Sequence, residues 1–212
     1  MKSRARTPVA PSNQIRMPTR PRSSGIKDRC CGNFSLDYLA CPRETDLVLS
    51  TAYLSLGSNL GDRAANLRSA LAQLQTAGRL LAASALYETQ PVDIPENLPE
   101  QPWFLNCVAA IETDMTPREL LQRALRIEAE MGRLRMREKG PRNIDIDLVL
   151  FGDQVADEPG LRIPHPAMHR RRFVLEPLAE ILPDLRHPAL GKTVRELLAE
   201  LADGQTVRRL TT

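Results

Sequence analysis

Aromatic residues are scarce: Phe, Trp and Tyr make up 4% of the 212 residues, and there is one Trp. Sheets that bind single-stranded RNA stack bases on exposed aromatic side chains, so this composition counts against an RNA-binding module. No apolar run approaches the ~18–20 residues that a membrane-spanning helix needs, and no membrane partner is expected. Four cysteines, Cys30, Cys31, Cys41 and Cys107, form no CxxC pair and have no neighbouring histidine, which argues against zinc. No secretory h-region is found, so reduced thiols in a cytoplasmic protein are the expectation. The phosphate-cradling GxxxxGK[ST] loop is missing too, which excludes a P-loop enzyme.

Charge is present but unevenly placed. Residues 1–27 carry Lys2, Arg4, Arg6, Arg16, Arg20, Arg22 and Lys27 and no acid, leaving 22 basic and 26 acidic residues elsewhere. The body is therefore mildly acidic, and the net charge of +3 does not mark a nucleic-acid binder. Residues 1–48 are basic, rich in Pro and Ser and without hydrophobic periodicity. Such a segment cannot bury enough apolar surface to offset its ordering entropy, so a disordered tail is expected. It is Arg-rich and acid-poor like an organellar transit peptide, but Pro8, Pro11, Pro18 and Pro21 oppose an amphipathic helix. Residues 49–212 are expected to form one domain.

Periodicity is clear from about residue 52. "AYLSLGSN" reads as a strand, with Gly57, Ser58 and Asn59 assigned to a tight strand-to-helix turn. A helix follows, with Leu67, Ala70, Leu71 and Leu74 on one face and Gly78 as its stop. Residues 81–89 read as one strand and "FLNCVAAIET" (104–113) as another, with four prolines between them. Thr116-Pro117-Arg118-Glu119 is a capping box with proline at the first helical position. It starts a helix that turns Leu120, Ala124, Ile127 and Met131 inward. "GPRNIDIDLVLFGD" (140–153) supplies the next strand, and a capped helix runs from Thr193 to about Ala202. The order predicts an α+β fold with a ferredoxin-like βαββαβ core, a four-stranded antiparallel sheet carrying two helices on one face.

Within that last strand, Asp145 and Asp147 point to one face while Ile144, Ile146 and Leu148 point into the core, because side chains alternate. Two same-face carboxylates suit a pair of divalent cations, and oxygen-only ligation suits Mg²⁺. The alternative is a solvent-facing polar row, although Asp is poor in strands. Basic segments flank the strand on both sides: Arg133, Arg135, Arg137, Lys139 and Arg142 before it, His165, His169, Arg170, Arg171 and Arg172 after it. Guanidinium groups beside a metal site are the equipment of phosphoryl transfer. From the residues alone, the expectation is a Mg²⁺-dependent enzyme that handles a polyphosphate.

"GPRNIDIDLVLFGD" resembles the signature of the 6-hydroxymethyl-7,8-dihydropterin pyrophosphokinase family of folate biosynthesis. "YLSLGSNLGDR", "YETQPV…QPWFLN", "RIEAEMGRLR" and "IPHPAMHRRRFVLEPL" match further family blocks, in order, over about residues 52–186. The resemblance implies transfer of pyrophosphate from ATP to the pterin hydroxymethyl oxygen, with release of AMP. It implies two Mg²⁺ ions on Asp145 and Asp147, with Arg133 and Arg142 stabilising phosphate. Glu128, Arg135, His165 and Arg171 would line the ATP site, although Glu128 also suits a helix-end surface charge and His165 simple packing. Thr89, Pro91, Val92, Phe104 and Asn106 would wall the pterin pocket, and Phe173 would stack on the ring. Asn106, an amide within an apolar strand, matches a pterin's donor–acceptor edge, or else is satisfied by neighbouring backbone.

Three positions depart from the family's aromatic pattern: Lys139 before "GPR", Phe104 where Tyr is common, and Pro166 after the histidine. One stacking face for pterin and one contact to adenine would be lost, and lost stacking would cost on the order of 1 kcal/mol. Residues 91–103 and 132–141 are expected to act as mobile lids. The partners implied are the small molecules ATP and dihydropterin, with the chain a monomer open to contact with neighbouring folate enzymes. A paired-Asp phosphohydrolase is the rival enzyme, and it would consume ATP without pterin. A decayed relative is the other alternative, but Asp145, Asp147, Arg142, Asn106 and His165 are all in place.

Overall fold

A computed structural model describes residues 48–92, 100–133, 140–202 and 204–211. The tail expected at 1–48 therefore lies outside the described residues apart from Val48, as do the lid residues 93–99 and 134–139 with Arg135 and Lys139.

β1 (Ser50–Ser58) is the central strand of an antiparallel sheet, paired with β4 (Phe104–Thr113) on one side and β5 (Asp145–Phe151) on the other. Beyond β4 lie β2 (Arg79–Ala83) and β3 (Tyr87–Thr89), and β3 also pairs with β8 (Val207–Arg209). The sheet has six strands, not the four expected. One extra strand comes from splitting the segment read as a single strand at 81–89. At the break, the Ser84 hydroxyl accepts the Val108 N–H at 3.0 Å and donates to the Ala85 carbonyl at 2.8 Å, replacing ladder bonds. The other is β8, which is too short to show a period.

α1 (Arg63–Leu74) and α2 (Pro117–Glu130) cover one face, as expected. Leu67, Ala70 and Leu74 of α1 and Leu120, Ala124 and Ile127 of α2 are fully buried against Leu54, Leu56, Ile146 and Leu148. The Thr116–Glu119 capping box is formed, and such a cap contributes about 1 kcal/mol. The opposite face carries α3 (Arg172–Ile181) and α4 (Val194–Glu200), whose Val174, Leu175, Leu178, Val194 and Leu197 pack on Tyr53, Val108 and Val149. α3 was not expected: Pro177 sits inside it and Arg171 gives it no side-chain cap, so both usual signals are contrary or missing. A hairpin of β6 (Ala156–Glu158) and β7 (Leu161–Ile163), turned by Pro159-Gly160, was likewise not expected.

Gly78 does not stop α1, which ends at Leu74 four residues earlier. It is glycine because a Cβ there would collide with the Glu112 backbone carbonyl on β4. Gly78→Ala is therefore expected to destabilise the fold by about 1–3 kcal/mol through overpacking against backbone. Gly160→Ala, with open space but φ of +76°, is expected to cost only about 1 kcal/mol. Urea denaturation midpoints measure both, and a Gly78→Ala midpoint equal to wild type would contradict the close approach.

Candidate active site

The strand register builds the floor of the site. Asp145 on β5 faces Gly57 on β1, and Gly57 faces Asn106 on β4. Asp147 faces Ser55 in the neighbouring row. Strands lie ~4.8 Å apart, so the two small residues of β1 leave a trough between the carboxylates and the amide. Gly57 has to be glycine, since a Cβ would come within 2.5 Å of Asn106 Oδ1. Gly57 and Ser58 thus belong to the strand and not to the turn assigned to them. Asn106 is buried, and its Nδ2 donates to Thr89 Oγ1 at 2.6 Å; its partner is a side chain, not the backbone.

A cavity of about 280 Å³ opens on this floor and brings the expected residues together. Thr89, Pro91, Val92, Phe104, Asn106 and Phe173 line it. So do Arg133, Arg142, Asp145, Asp147, His165 and Arg171. Glu128 does not line it: this carboxylate, 2% exposed, sits behind Arg133, which donates to it, and its Oε1 also accepts the Ile146 N–H at 2.7 Å. Ser55, Gln90 and Gln101 line the cavity without having been singled out, and Gly57 lines it although it was assigned to a turn. For Ser55 and Gly57 the signal was present, as small residues two apart on the strand between the Asp pair and Asn106. The contributions of Gln90 and Gln101 carry no local pattern.

Asn59 ties the two flanking loops together. Its Oδ1 accepts the Arg142 N–H at 2.7 Å, and its Nδ2 donates to Gln101 Oε1 at 3.2 Å and to the Pro102 carbonyl at 3.3 Å. The last residues of the Pro-rich loop and the segment just before β5 are thereby held to the end of β1.

Both oxygens of Asp145 are met by arginine: Oδ1 by Arg133 at 2.5 Å and Oδ2 by Arg142 at 2.6 Å. Among the described residues Asp147 is paired with Arg171 alone, at 3.8 Å. Burial raises the Asp147 pKa to about 6, and the Asp145 charge adds to this, against the pull of Arg171, Arg142 and Arg133. Burial, then Arg171, lower the His165 pKa to about 4, so its ring is neutral at pH 7. His165 Nδ1 accepts the Ala167 N–H at 3.2 Å, which leaves Nε2–H as a donor. Arg142 lies 5.2 Å over the Phe104 ring and Arg171 5.6 Å over that of Phe173, so each aromatic wall is joined to a guanidinium.

A second cavity, about 670 Å³, shares Asp147 and His165 with the first and runs between Leu121, Leu148 and the β6–β7 hairpin. The pair of cavities has room for two ligands meeting at Asp147 and His165.

The residues present fit Mg²⁺. Two neighbouring carboxylates are an oxygen donor set, and among the described residues no thiolate lines the cavity beside them. Among the described residues no group of three or more His, Cys, Asp or Glu gathers for a metal. Two carboxylates that leave the other positions to water and phosphate suit Mg²⁺, which keeps several waters.

Residues 53–183 match the family described as 7,8-dihydro-6-hydroxymethylpterin-pyrophosphokinase. The chain is 50% identical over 156 residues to the 2-amino-4-hydroxy-6-hydroxymethyldihydropteridine pyrophosphokinase of Methylorubrum extorquens, covering 72% of this chain and 94% of that protein. It is 45% identical over 152 residues to the folic acid synthesis protein fol1 of Schizosaccharomyces pombe, 71% of this chain but only 20% of that longer protein. In fold it is similar to Plasmodium falciparum HPPK-DHPS crystallised with pterin and p-hydroxybenzoate. That TM-score is 0.57 at 19% identity, over 72% of this chain and 42% of the other.

Since folding raises the Asp147 pKa from 3.8 to about 6, the ionised carboxylate opposes folding above pH 6 and ceases to do so below pH 3.8. Without Mg²⁺, Asp147→Asn is therefore expected to melt above wild type at pH 8, with the difference vanishing near pH 4. His165 acts oppositely: its contribution is present above pH 6.5 and lost as pH falls through about 4. Melting curves at pH 4, 6 and 8 check this, and identical melting of Asp147→Asn and wild type at pH 8 would refute the raised pKa.

Proposed function

The chain belongs to the 7,8-dihydro-6-hydroxymethylpterin-pyrophosphokinase family, and from that premise we propose how its residues share the reaction. The reaction is transfer of pyrophosphate from ATP to the hydroxymethyl group of 6-hydroxymethyl-7,8-dihydropterin, releasing AMP, in folate synthesis. The observation that carries the division of roles is the cross-strand row Asp145–Gly57–Asn106, with carboxylates at one end of a trough and a fixed amide at the other.

On this reading the pterin edge meets Asn106, oriented by Thr89, with Phe104 and Phe173 as apolar walls and Pro91 and Val92 closing the side. The ATP phosphates lie toward Arg133, Arg142, Arg171 and the Nε2–H of His165, and the nucleoside enters the second cavity. Arg135, outside the described residues, is assigned to ATP as well. Asp145 and Asp147 would hold two Mg²⁺ ions, which when bound would supply neutralisation of phosphate charge. Glu128 is a positioning residue: it anchors Arg133 and the start of β5 in register. Removing one partner of such a buried pair costs about 3–5 kcal/mol.

In-line attack by the hydroxymethyl oxygen on the β-phosphorus requires little covalent help from protein. The neutral His165 donates a hydrogen bond without adding a proton-transfer step, and the arginines stabilise charge as the β-phosphorus–oxygen bond to AMP breaks. Buried walls exclude water, which would otherwise take the pyrophosphate. The strand order β5-β1-β4, with β2 and β3 beyond β4 and β8 beyond β3, supports a ferredoxin-like core elaborated by extra strands. A tail at 1–48 ahead of a catalytic domain at 49–212, a cytoplasmic monomer, and contact with neighbouring folate enzymes complete the proposal.

AMP release from ATP and Mg²⁺, with and without 6-hydroxymethyl-7,8-dihydropterin, tests it. AMP is expected only with the pterin; ADP or phosphate without pterin would point to a hydrolase. Asp147→Asn is expected to keep the fold and lose most Mg²⁺-dependent turnover, and full activity would remove Asp147 from the metal site. Asn106→Ala is expected to raise the pterin KM about tenfold, the equivalent of one net hydrogen bond, with the ATP KM little changed.

A further inference from the structure

The last described segment, residues 204–211, lies beyond the residues 53–183 that match the family, yet it contacts both walls of the cavity. On one side Val207 of β8 pairs with Thr89, and the Thr206 carbonyl accepts the Gln90 N–H at 3.3 Å; Thr89 and Gln90 line the cavity. On the other side Gln205 Oε1 accepts the Arg172 N–H at 2.9 Å, and its Nε2 donates to the Arg170 carbonyl at 3.2 Å. The two peptide groups flank Arg171, whose guanidinium approaches Asp147 and covers Phe173.

The first turn of any helix leaves N–H groups without intrahelical partners, and Arg171, at the N-cap of α3, makes no side-chain cap hydrogen bond. Gln205 takes the Arg172 N–H in its place, as a cap supplied from the far end of the chain. Its amide is read in one orientation only, since one neighbour is a donor and the other an acceptor. Arg171 itself holds an extended backbone, φ −113° and ψ 100°, between the 3₁₀ turn at Met168–Arg170 and the helix. The direction of its side chain, and of Phe173 two residues on, follows from how this junction is fixed.

We infer that Gln205 is a positioning residue that sets Arg171 and Phe173 at their working distance from the Thr89–Gln90 wall. This rests on the pyrophosphokinase reading, in which Arg171 meets phosphate and Phe173 meets the pterin.

Q205M, similar in length but without the amide, removes both hydrogen bonds, and R208A disturbs the same strand elsewhere. Arg208 is exposed, lines neither of the two cavities described above and lies 5.0 Å over the ring of Trp103, the one Trp of the chain. Hydrogen exchange at the Arg172 amide, Mg·ATP affinity and the pterin KM are measured for each. In Q205M the Arg172 amide is expected to exchange faster. Mg·ATP binding should weaken and the pterin KM rise, each roughly five- to tenfold, because small misplacements of substrate-positioning groups are costly. R208A is expected to change Trp103 fluorescence and leave both affinities as in wild type. Wild-type affinities in Q205M despite faster exchange at Arg172, or an equal loss in R208A, would overturn the inference. Should Q205M fail to fold, Q205N carries the comparison, its amide one methylene too short to reach both peptide groups. A wild-type protein that binds Mg·ATP but releases no AMP with the dihydropterin would overturn the reaction instead, and the affinity comparison would still decide the role of Gln205.

Discussion

Two carboxylates on one face of a strand whose other face is core have to be met by positive charge, and much of the site follows from how that demand is answered. Asp145 is met by Arg133 and Arg142, and Arg133 is in turn held by Glu128, which also fixes the Ile146 amide. The chain of contacts runs from the buried face of α2 to the first residues of β5, so helix packing and site electrostatics are coupled. Among the described residues Asp147 is paired with a more distant Arg171, and burial raises its pKa to about 6. That residual demand for a cation is what a Mg²⁺-dependent phosphoryl-transfer site requires.

The second constraint is steric. A trough between the carboxylates and Asn106 exists only because β1 carries Ser55 and Gly57 where neighbouring strands carry larger side chains. The other face of the same strand presents Leu54 and Leu56 to the core. One strand therefore meets a packing requirement on one side and leaves room for ligands on the other. The α3–α4 layer covers the rest of the ligand-side face with Val174, Leu175 and Leu178 and brings Arg171 and Phe173 to the edge of the trough.

Much was legible from local pattern. The extent of β4, the Thr116–Glu119 cap, the two-residue alternation of Asp145 and Asp147 and the inward row Ile144, Ile146 and Leu148 follow from period and capping chemistry. The cavity residues expected from resemblance are gathered in one place, with Glu128 one layer behind. What escaped was non-local or contrary to propensity. α3 contains Pro177 and lacks a side-chain cap of its own, and β8 exists because β3 offers it an unpaired edge. Gly78 looked like a helix stop, whereas its requirement comes from a strand more than thirty residues away.

The sequence by itself determined β1, β4, β5, α1, α2 and α4 and which carboxylates share a face, because those properties depend on neighbours two to four residues apart. Tertiary structure alone decided that Gly57 lies between Asp145 and Asn106. It also decided that Asn59 joins two loops and that Gln205 caps a helix begun more than thirty residues earlier. Such contacts join residues far apart in the chain, and only packing of the sheet between its two helical layers brings them within hydrogen-bonding distance.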